Sequence, residues 1–490
     1  MRKVSKISAK KDKPIEDLLG ILDLGKIDEI KQSTGVYASV DDVLRKYKGF
    51  MRVLWKDDVQ SYFEKCYSNR ILAIDTETNN SVDPRSALLV GLCLYTPYSR
   101  PVYIPVNHID KYTKQRIENQ ITSEELRSYL EKLKDCFCIY HNAKFDVNVI
   151  RTNTGVVLPI HWDTQIAAKV LDENLLNAKL KELYRLYIEP AQPSYRIDNL
   201  FADNQTAKIA DFAVYSAMDP YETFKLYKMQ DKILQAPTLQ KLRKLFEEIE
   251  MKVTNICAEM EQEGAYFDKE LASIYLRKFK ASAAEKLEKL LKYFEPLRGS
   301  GKLTEWPINF NSPDQTVAAL NAMGIQCEDS REPTLSALSK VFPICNTILE
   351  YRSDDHMVTS FFDPLLKMVH PKTGRIHSNF NQLGDEDKTI KTGRFSSKQP
   401  NLQQLPSFDD SVRLCFCGGH EDEIIKIESD LFEVEEFDLV ETVSGFVVAK
   451  FLRDSDLIVD SETGEVYPIQ KIIRDGDLCK LYLKGGDANE

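Results

Sequence analysis

A short apolar run followed at once by two acidic residues most constrains how this 490-residue chain folds. The run from Arg70 to Ile74 predicts a buried strand. Side chains alternate along a strand, so Asp75 and Glu77 point to the same side at its carboxyl end. One strand therefore offers two carboxylates to a single site.

Two later stretches add two more carboxylates. HNAKFDVNVI contains Asp146 and predicts a helix, because its apolar residues form a stripe at helical spacing. YSAMDPYETF contains Asp219, and Tyr215 lies four residues earlier, so the phenol and the carboxylate share a face if this stretch is helical. Pro220 follows directly and fits a helix only in its first turn or at a kink.

The four carboxylates offer only oxygen ligands. Such ligands suit hard cations such as Mg²⁺ or Mn²⁺, and a pair of these ions can activate a water while stabilising the leaving oxygen of an in-line phosphoryl displacement. The pattern therefore indicates nuclease chemistry, with the Tyr215 phenol orienting the attacking water. Taken singly, each aspartate is more typical of a solvated loop end or a helix cap, and a degenerate, inactive site is the alternative.

The order DxE, NxxxD and YxxxD resembles the proofreading 3′→5′ exonuclease domain of the DEDD superfamily, in its tyrosine-bearing branch. The resemblance covers residues 51–235 and implies an α/β ribonuclease H-like fold. It implies that Tyr215 positions the water. Asp163, in WDTQIAAKVL, matches a further family element, for which we predict a structural role. The resemblance also implies that two ions, Mg²⁺ or Mn²⁺, are held by Asp75, Glu77, Asp146 and Asp219.

Composition describes an ordinary globular protein with an acidic tail. Apolar residues make up 43% of the chain, no apolar run is long enough to span a membrane, and no signal segment follows the first residues, so we expect a cytoplasmic protein, in the host cytoplasm if phage-encoded. Ten scattered cysteines predict reduced core thiols. Residues 421–490 carry a net charge of −12 against −11 for the whole chain, so the remainder is close to neutral and can still place basic groups against phosphates.

Long amphipathic helices follow the exonuclease-like region. Later segments then occur in the order found in family A DNA polymerases, the DNA polymerase I class: MEQEGAYFD, FNSPDQTVAAL, LEYRSDDHMVTSFFDPLL, GRIHSNFNQLG, and KTGRFSSKQPNLQQLPS with SVRLCF. The match is more similar to phage than to bacterial members. It implies a helical thumb over residues 236–375 and the start of an α+β palm over residues 376–417.

The same resemblance implies contacts with DNA. Arg394 is expected to reach the minor groove near the primer end, where A·T and G·C pairs both offer acceptors. Asn401 and Gln403 are expected to make similar amide contacts. Phosphate contacts are expected from basic and hydroxyl side chains, namely Ser312, Ser396, Ser397, Lys398 and Arg413.

The second long helix carries a basic face. Lys286, Lys289 and Lys292 predict contacts with the DNA backbone, and a merely solvated face is the alternative. Asp354 and Asp355 stand where the family usually places a lysine, which indicates weaker contacts with DNA in that segment.

Beyond Phe416 the chain departs from the polymerase pattern. Asp430 and Glu435 have the spacing of a palm aspartate and its following glutamate, but the residues between them differ and no pattern of fingers helices follows. Residues 418–490 instead predict short strands, and VETVSGFVVAKFLRDSDLIV resembles the Hint fold of inteins. We expect a small, acidic, all-β intein-like segment that does not splice, or a split or truncated gene. A degenerate palm motif is the alternative.

Together these segments predict the N-terminal portion of a phage-type family A DNA polymerase that binds primer-template DNA and removes 3′-terminal nucleotides. Residues 1–50 are an unassigned arm. We expect polymerisation to need a second polypeptide that supplies the fingers and the rest of the palm. Two alternatives stay open: a stand-alone 3′→5′ exonuclease in repair or RNA trimming, and a non-enzymatic DNA-binding subunit of a split polymerase.

Overall fold

The computed structural model describes residue 47 and residues 49–416, apart from 176, 190–200, 304, 383–393 and 407, together with six strands and Leu452 in the tail. Most of the predicted N-terminal arm, residue Asp430 and the side chain of Glu435 lie outside the described residues. The chain forms two compact units, one of residues 1–262 with 380–396 and the other of residues 263–379 with 397–490.

The first unit contains a mixed six-stranded sheet. Its central strand begins at Ile71, one residue after the predicted start, because Arg70 is the left-handed C-cap of the preceding helix, and it runs on through both acidic residues of the DxE motif. In chain order the strands are β1 (Arg52–Val53), β2 (Ile71–Thr78), β3 (Leu89–Tyr95), β4 (Val102–Pro105), β5 (Phe137–Tyr140) and β6 (Trp162–Asp163). The spatial order is β1-β4-β3-β2-β5-β6, with β2 antiparallel to β3 and parallel to β5.

Most helices of the first unit pack against this sheet in one apolar core, whereas α5 and α6 lie in smaller apolar clusters. A π-helical stretch, Phe246–Glu250, separates the last two of them. They are α1 (Val59–Asn69), α2 (Ser123–Leu133), α3 (Ala143–Thr154), α4 (Thr164–Leu171), α5 (Leu180–Tyr187), α6 (Ile209–Ser216), α7 (Met218–Leu234), α8 (Gln240–Leu245) and α9 (Met251–Glu263). Phe246, Met251 and Ala258 join the core, so residues 236–262 belong to this unit; the boundary at residue 235 stays a prediction.

Pro220 is the third residue of α7. It therefore lies in the first turn, where a missing N–H leaves no helical hydrogen bond unmade, and this is one of the two positions that the sequence predicted. None of the helices in the described part of the chain is both long and apolar enough to span a bilayer.

One glycine permits close packing within the sheet. A Cβ atom at Gly91, on β3, would lie 2.1 Å from the hydroxyl oxygen of Tyr103 on β4. The tyrosine ring is fully buried, and its hydroxyl is 2.6 Å from Nε2 of His108. A side chain at position 91 is therefore incompatible with this placement of the ring.

The second unit contains a long helix packed along another. In chain order its helices are α10 (Lys269–Phe294), α11 (Pro313–Ala322), α12 (Glu332–Ser339), α13 (Ile344–His356), α14 (Asp363–Met368) and α15 (Ser411–Leu414). The packed pair is α10 and α13, and Leu290, Phe294, Phe310 and Ile348 lie in their shared core. A π-helical stretch, Met357–Phe362, joins α13 to α14. Two short strands, β7 (Asn379–Asn381) and β8 (Ser396–Lys398), each contain residues assigned to both units.

The described part of the tail forms an antiparallel sheet in the order β11-β10-β12-β13-β14-β9. Its strands are β9 (Leu431–Glu435), β10 (Leu439–Thr442), β11 (Gly445–Val448), β12 (Leu457–Val459), β13 (Val466–Asp475) and β14 (Leu478–Leu483). Strands are observed where DLVET, GFVVAKFL, DLIVD, EVYPIQKII and CKLYL predict them. The strand predicted for IIKI lies outside the described residues, and β9 was not predicted. The intein-like, all-β interpretation of residues 418–490 stays a prediction.

Candidate active site

The two acidic residues of β2 lie beside a thiol. Ligand atoms of Asp75, Glu77 and Cys93 are all within 4.8 Å of one another. Asp75 and Cys93 stand opposite each other in the register of β2 and β3, which brings the thiol to the carboxylates. The sequence predicted Cys93 only as a core thiol, and the described cysteines are indeed free and, except Cys327, buried. The location of Cys93 beside the carboxylates follows from the register of β2 and β3, which the spacing of residues in the sequence does not reveal.

Asp146 lies in the first turn of α3 and is tied to β2. Thr76 donates two hydrogen bonds to Oδ1 of Asp146, one from its backbone N–H at 2.9 Å and one from its hydroxyl at 2.6 Å. Because Thr76 stands between Asp75 and Glu77, these bonds hold the third carboxylate beside the first two. No motif in the sequence marks this threonine as part of the site.

Asp163 has the structural role that was predicted. Its carboxylate caps α4 by accepting a hydrogen bond from the N–H of Gln165 at 2.8 Å. It also accepts the N–H groups of Asn142, at 3.2 Å, and Ala143, at 2.8 Å, at the start of α3. One buried carboxylate therefore joins the starts of two helices, and one of these helices carries Asp146.

Tyr215 and Asp219 lie on consecutive helices. Tyr215 is in the last turn of α6 and Asp219 in the first turn of α7, with Ala217 between them in a right-handed helical conformation. The single helix considered in the sequence analysis is thus divided at Ala217. Lys181 of α5 forms an ion pair with Asp219, and its Nζ is 5.3 Å from the centre of the Tyr215 ring. Phenol and carboxylate therefore lie around the same ammonium group.

Lys181 has a second acidic neighbour. Its Nζ is 3.0 Å from a carboxylate oxygen of Glu222, whose side chain is fully buried on α7 one turn after Asp219. Neither Lys181 nor Glu222 was singled out from the sequence. A lone lysine 38 positions before Asp219 has no spacing signal that could connect it to the site.

Burial raises the pKa values of the four carboxylates and is the largest cause for each. The pKa of Asp75 lies well above its ordinary value, and the charges of Asp146, Asp219 and Glu77 raise it further. Burial and repulsion from Asp219 raise the pKa of Glu77 to about 8. Burial raises the pKa of Asp146 to about 7, although the hydrogen bonds from Thr76 lower it. Burial also raises the pKa of Asp219, although the attraction of Lys181 lowers it. Such a cluster is suited to exchange protons for a divalent cation.

The residues predicted to contact DNA differ in how exposed their side chains are. Ser312 and Ser396 are half-buried and Ser397 is buried. The exposed members are Arg394, Lys398, Asn401, Gln403 and Arg413.

Ser397 has a structural role that the sequence did not predict. Its side chain is 1% exposed, and its hydroxyl oxygen is 2.6 Å from that of Ser378. It also accepts the backbone N–H of Leu402 at 3.1 Å and donates to the carbonyl of Pro400 at 3.1 Å. Because the hydroxyl is enclosed by these partners, it does not face a phosphate from the surface.

Two other predicted contacts cap helices. Ser312 is the N-cap of α11 and accepts the N–H of Gln315. Asn401 accepts the N–H of Gln403 at 3.1 Å at the start of a short 3₁₀ helix. Arg413 lies 3.4 Å from Asp410 in an exposed ion pair.

The basic face predicted on α10 is partly neutralised within the unit. Lys286 forms an ion pair with Asp354 at 2.5 Å, and these side chains are only 21% and 12% exposed. Lys289 pairs with Glu285, whereas Lys292 is exposed. Lys286, which was predicted to contact DNA, and Asp354, which was predicted to weaken such contacts, therefore form an ion pair with each other.

Protein-family models match two separate parts of the chain. Residues 52–235 match the family described as 3′-5′ exonuclease, and this part contains the four carboxylates. Residues 273–435 match the family described as DNA polymerase family A. The second match extends beyond the predicted boundary at residue 417 and includes Asp430 and Glu435.

Curated relatives carry the name DNA polymerase I. The protein of Chloroflexus aurantiacus is 29% identical over 358 residues, which cover 68% of this chain and 35% of that protein. The protein of Pseudomonas aeruginosa is 26% identical over 392 residues, which cover 76% of this chain and 40% of that protein. The chain thus spans about 35–40% of the length of these relatives.

A solved structure shares the fold. It is the POL domain of Pol1 from M. smegmatis in complex with DNA primer-template and dNTP, with a TM-score of 0.58 and 19% sequence identity. The likeness covers 79% of this chain and 60% of that one.

Proposed function

We propose that this chain, which contains a 3′-5′ exonuclease domain and a DNA polymerase family A domain, hydrolyses nucleotides from the 3′ ends of DNA. The observation that carries the proposal is the convergence of four carboxylates, those of Glu77 and Asp146 buried and those of Asp75 and Asp219 half-buried, within the part that matches the exonuclease family. DNA as the substrate is supported by the relatives named DNA polymerase I and by the similar fold solved with primer-template DNA.

Two divalent ions, Mg²⁺ or Mn²⁺, belong to this proposal. The oxygen-only carboxylate set fits hard cations. Burial and mutual repulsion raise the pKa values of its members even though the Lys181 ammonium lowers them, so a divalent cation would add the missing positive charge. When bound, such ions supply an activated water and a counter-charge for the leaving oxygen. The residues proposed to hold them are Asp75, Glu77, Asp146 and Asp219.

Other groups of the chain orient the reaction. The phenol of Tyr215 is proposed to orient the attacking water, as its place beside Asp219 and Lys181 allows. Thr76 keeps Asp146 against β2 through two hydrogen bonds. Burial raises the pKa of Cys93 well above its ordinary value, so this residue stays a thiol and adds no charge to the site.

The part of the chain that matches the polymerase family is proposed to hold primer-template DNA. Arg394 offers a minor-groove contact, and the exposed amides and cations of the same segment offer others: Lys398, Asn401, Gln403 and Arg413. Ser312 and Ser396 are half-buried and would contribute less. Ser397 supports the segment from inside.

Polymerisation is proposed to require a second polypeptide that supplies the fingers and the remaining palm. The family match through Glu435 supports Asp430 and Glu435 as palm residues, in preference to an intein-like insertion that begins at residue 418. Phage type and a cytoplasmic location belong to the same proposal.

The exonuclease proposal is tested with a single-stranded DNA oligonucleotide labelled at its 5′ end, with Mg²⁺ or Mn²⁺. Wild-type protein should shorten it stepwise from the 3′ end, and the double variant Asp75→Ala, Glu77→Ala should not. Glu118→Ala removes an exposed acidic side chain of the same unit and should behave as wild type. Equal activity in wild type and the double variant would refute the assignment.

Two further substrates separate the alternatives. Faster shortening of an RNA oligonucleotide of the same sequence would favour RNA trimming. Binding of primer-template DNA without hydrolysis under any metal condition would favour the non-enzymatic subunit. Primer extension by the chain alone would contradict the proposed need for a second polypeptide.

A further inference from the structure

Lys181 is placed between a candidate metal ligand and a buried acid that belongs to no predicted site. Its ammonium group forms an ion pair with Asp219 and lies 3.0 Å from Glu222. The lysine side chain is 16% exposed, the Asp219 side chain 15% and the Glu222 side chain 0%. Helix α7 presents both acids to the lysine from successive turns.

A divalent cation and this ammonium group would compete for the negative charge of Asp219. Like charges a few ångströms apart in a partly buried site repel strongly, so binding of a metal ion by Asp219 requires Lys181 to give up its contact there. Glu222 offers a place for the displaced ammonium without movement of the helix. Glu222 also needs this partner, because a buried carboxylate with no cation is costly.

We propose that Lys181 is an internal competitor for the metal ion at Asp219, and that Glu222 sets the strength of the competition by holding the ammonium when the ion binds. This inference rests on the proposed function, because it assumes that Asp219 is a metal ligand. It adds a regulation of metal affinity by two residues outside the four-carboxylate set. The Tyr215 ring, 5.3 Å from Nζ, keeps the ammonium on the same side of the site in either position.

The two residues then have opposite effects on metal affinity. Removal of the competitor in Lys181→Met should tighten Mn²⁺ binding by about tenfold, the order expected for one charge-assisted contact. Glu222→Gln removes the alternative partner, leaves the ammonium with Asp219 and should weaken Mn²⁺ binding. If Glu222 acts only through Lys181, the double variant should bind Mn²⁺ as tightly as Lys181→Met.

The experiment is a titration of the full chain with Mn²⁺, in which free Mn²⁺ is measured by electron paramagnetic resonance. Lys228→Met is the matched control, because it removes an exposed lysine on the same helix as the two acids and should leave affinity unchanged. Thermal unfolding in EDTA measures whether each variant folds. The double variant has no uncompensated Glu222 charge, so it keeps the test open if Lys181→Met fails to fold.

A structural brace between α5 and α7 makes a different prediction. Both single variants would then lower thermal stability and weaken Mn²⁺ binding together, which would overturn the inference. Unchanged affinity in Lys181→Met, or tighter binding in Glu222→Gln, would also overturn it. Wild-type protein that binds no Mn²⁺ overturns the inference outright, whereas Mn²⁺ binding with the expected variant pattern but without nuclease activity overturns only the proposed function.

Discussion

Two groups of polar side chains in this protein differ in whether their charges and hydrogen-bonding groups are compensated by neighbouring groups. Around Asp75, acidic side chains face one another, and burial raises their pKa values. Around Ser397, the hydroxyl of Ser378 and the backbone groups of Pro400 and Leu402 donate and accept among themselves. Both groups lie in segments where the sequence predicts function.

The difference separates a group whose charges a bound cation would compensate from a hydrogen-bonded joint in the fold. A buried carboxylate without a partner costs free energy, whereas a buried hydroxyl with its hydrogen bonds made does not. The acidic group therefore gains from a bound cation, and the serine group is complete without one. Ser397 illustrates that a polar residue in a functional motif can have a structural role, because its hydrogen bonds hold the motif in its conformation.

The largest expected effect lies in the acidic group. Asp146→Asn keeps an oxygen that can accept the hydrogen bonds from Thr76 but removes the charge. Because metal coordination is worth several kcal/mol in such reactions, the exonuclease rate should fall roughly a thousandfold. Single-turnover hydrolysis of a labelled oligonucleotide measures the change. A rate within tenfold of wild type would show that this charge is dispensable.

The acidic group could be predicted from the sequence because the spacing of its residues follows the periodicities of strands and helices. Alternation in β2 places Asp75 and Glu77 together, and the helical stripe places Asp146 in a first turn. Cys93 was assigned only to the core, because its place at the site depends on the register of two strands. Lys181 was not predicted, because it reaches Asp219 only through the packing of α5 against α7. The residues around Lys181 in the sequence give no sign of this tertiary contact.

In the second unit the predicted residue types did not reveal which of the polar side chains are buried or partly buried, as Ser397 and Lys286 show. The turn-rich segment around Ser397 gives no periodic signal from which burial can be inferred, and a serine suits either position. The pairing of Lys286 with Asp354 joins residues 68 positions apart. Helical periodicity places a lysine on the polar face of α10, but it does not reveal which acidic residue of another helix lies opposite.

The second expected effect compares two lysines of α10. Lys286→Met breaks the partly buried pair with Asp354, so the free energy of unfolding should fall by about 2 kcal/mol. Lys292→Met removes an exposed charge and should change it by less than about 0.5 kcal/mol. Urea unfolding of the two variants measures the difference. Equal stabilities would place Lys286 with the solvated lysines.

The third expected effect is a pH dependence of the metal-free protein. The pKa of Asp146 rises in the folded chain from 3.8 to about 7, so the folded state binds the proton more tightly than the unfolded state. Its contribution to stability is full below about pH 4 and is lost as the pH rises through about 7. Urea unfolding in EDTA should therefore show wild type losing stability relative to Asp146→Asn across this window. A parallel pH dependence of both proteins would contradict the assignment.

The smallest expected effects separate the serine joint from an exposed cation. Ser397→Ala should lower the free energy of unfolding by about 1 kcal/mol and leave the salt dependence of DNA binding unchanged. Arg413→Ala should leave stability nearly unchanged and lower the slope of log affinity against log salt by about one. Fluorescence anisotropy with labelled primer-template DNA measures both slopes. A reduced slope in Ser397→Ala would show that its hydroxyl reaches a phosphate.

The contact between Gly91 and Tyr103 restricts the order in which this sheet can evolve. A side chain at position 91 would meet the tyrosine ring at 2.1 Å, and Gly91 stands opposite Glu77 in the strand register. Enlarging residue 91 first would therefore force the Tyr103 ring or β3 itself to shift, and β3 lies directly beside Glu77. A lineage can accept the larger residue only after the ring at position 103 has been replaced by a smaller side chain. The two positions should accordingly covary among relatives, and any mutational path between their two states should pass through the combination of Gly91 with a smaller residue at position 103.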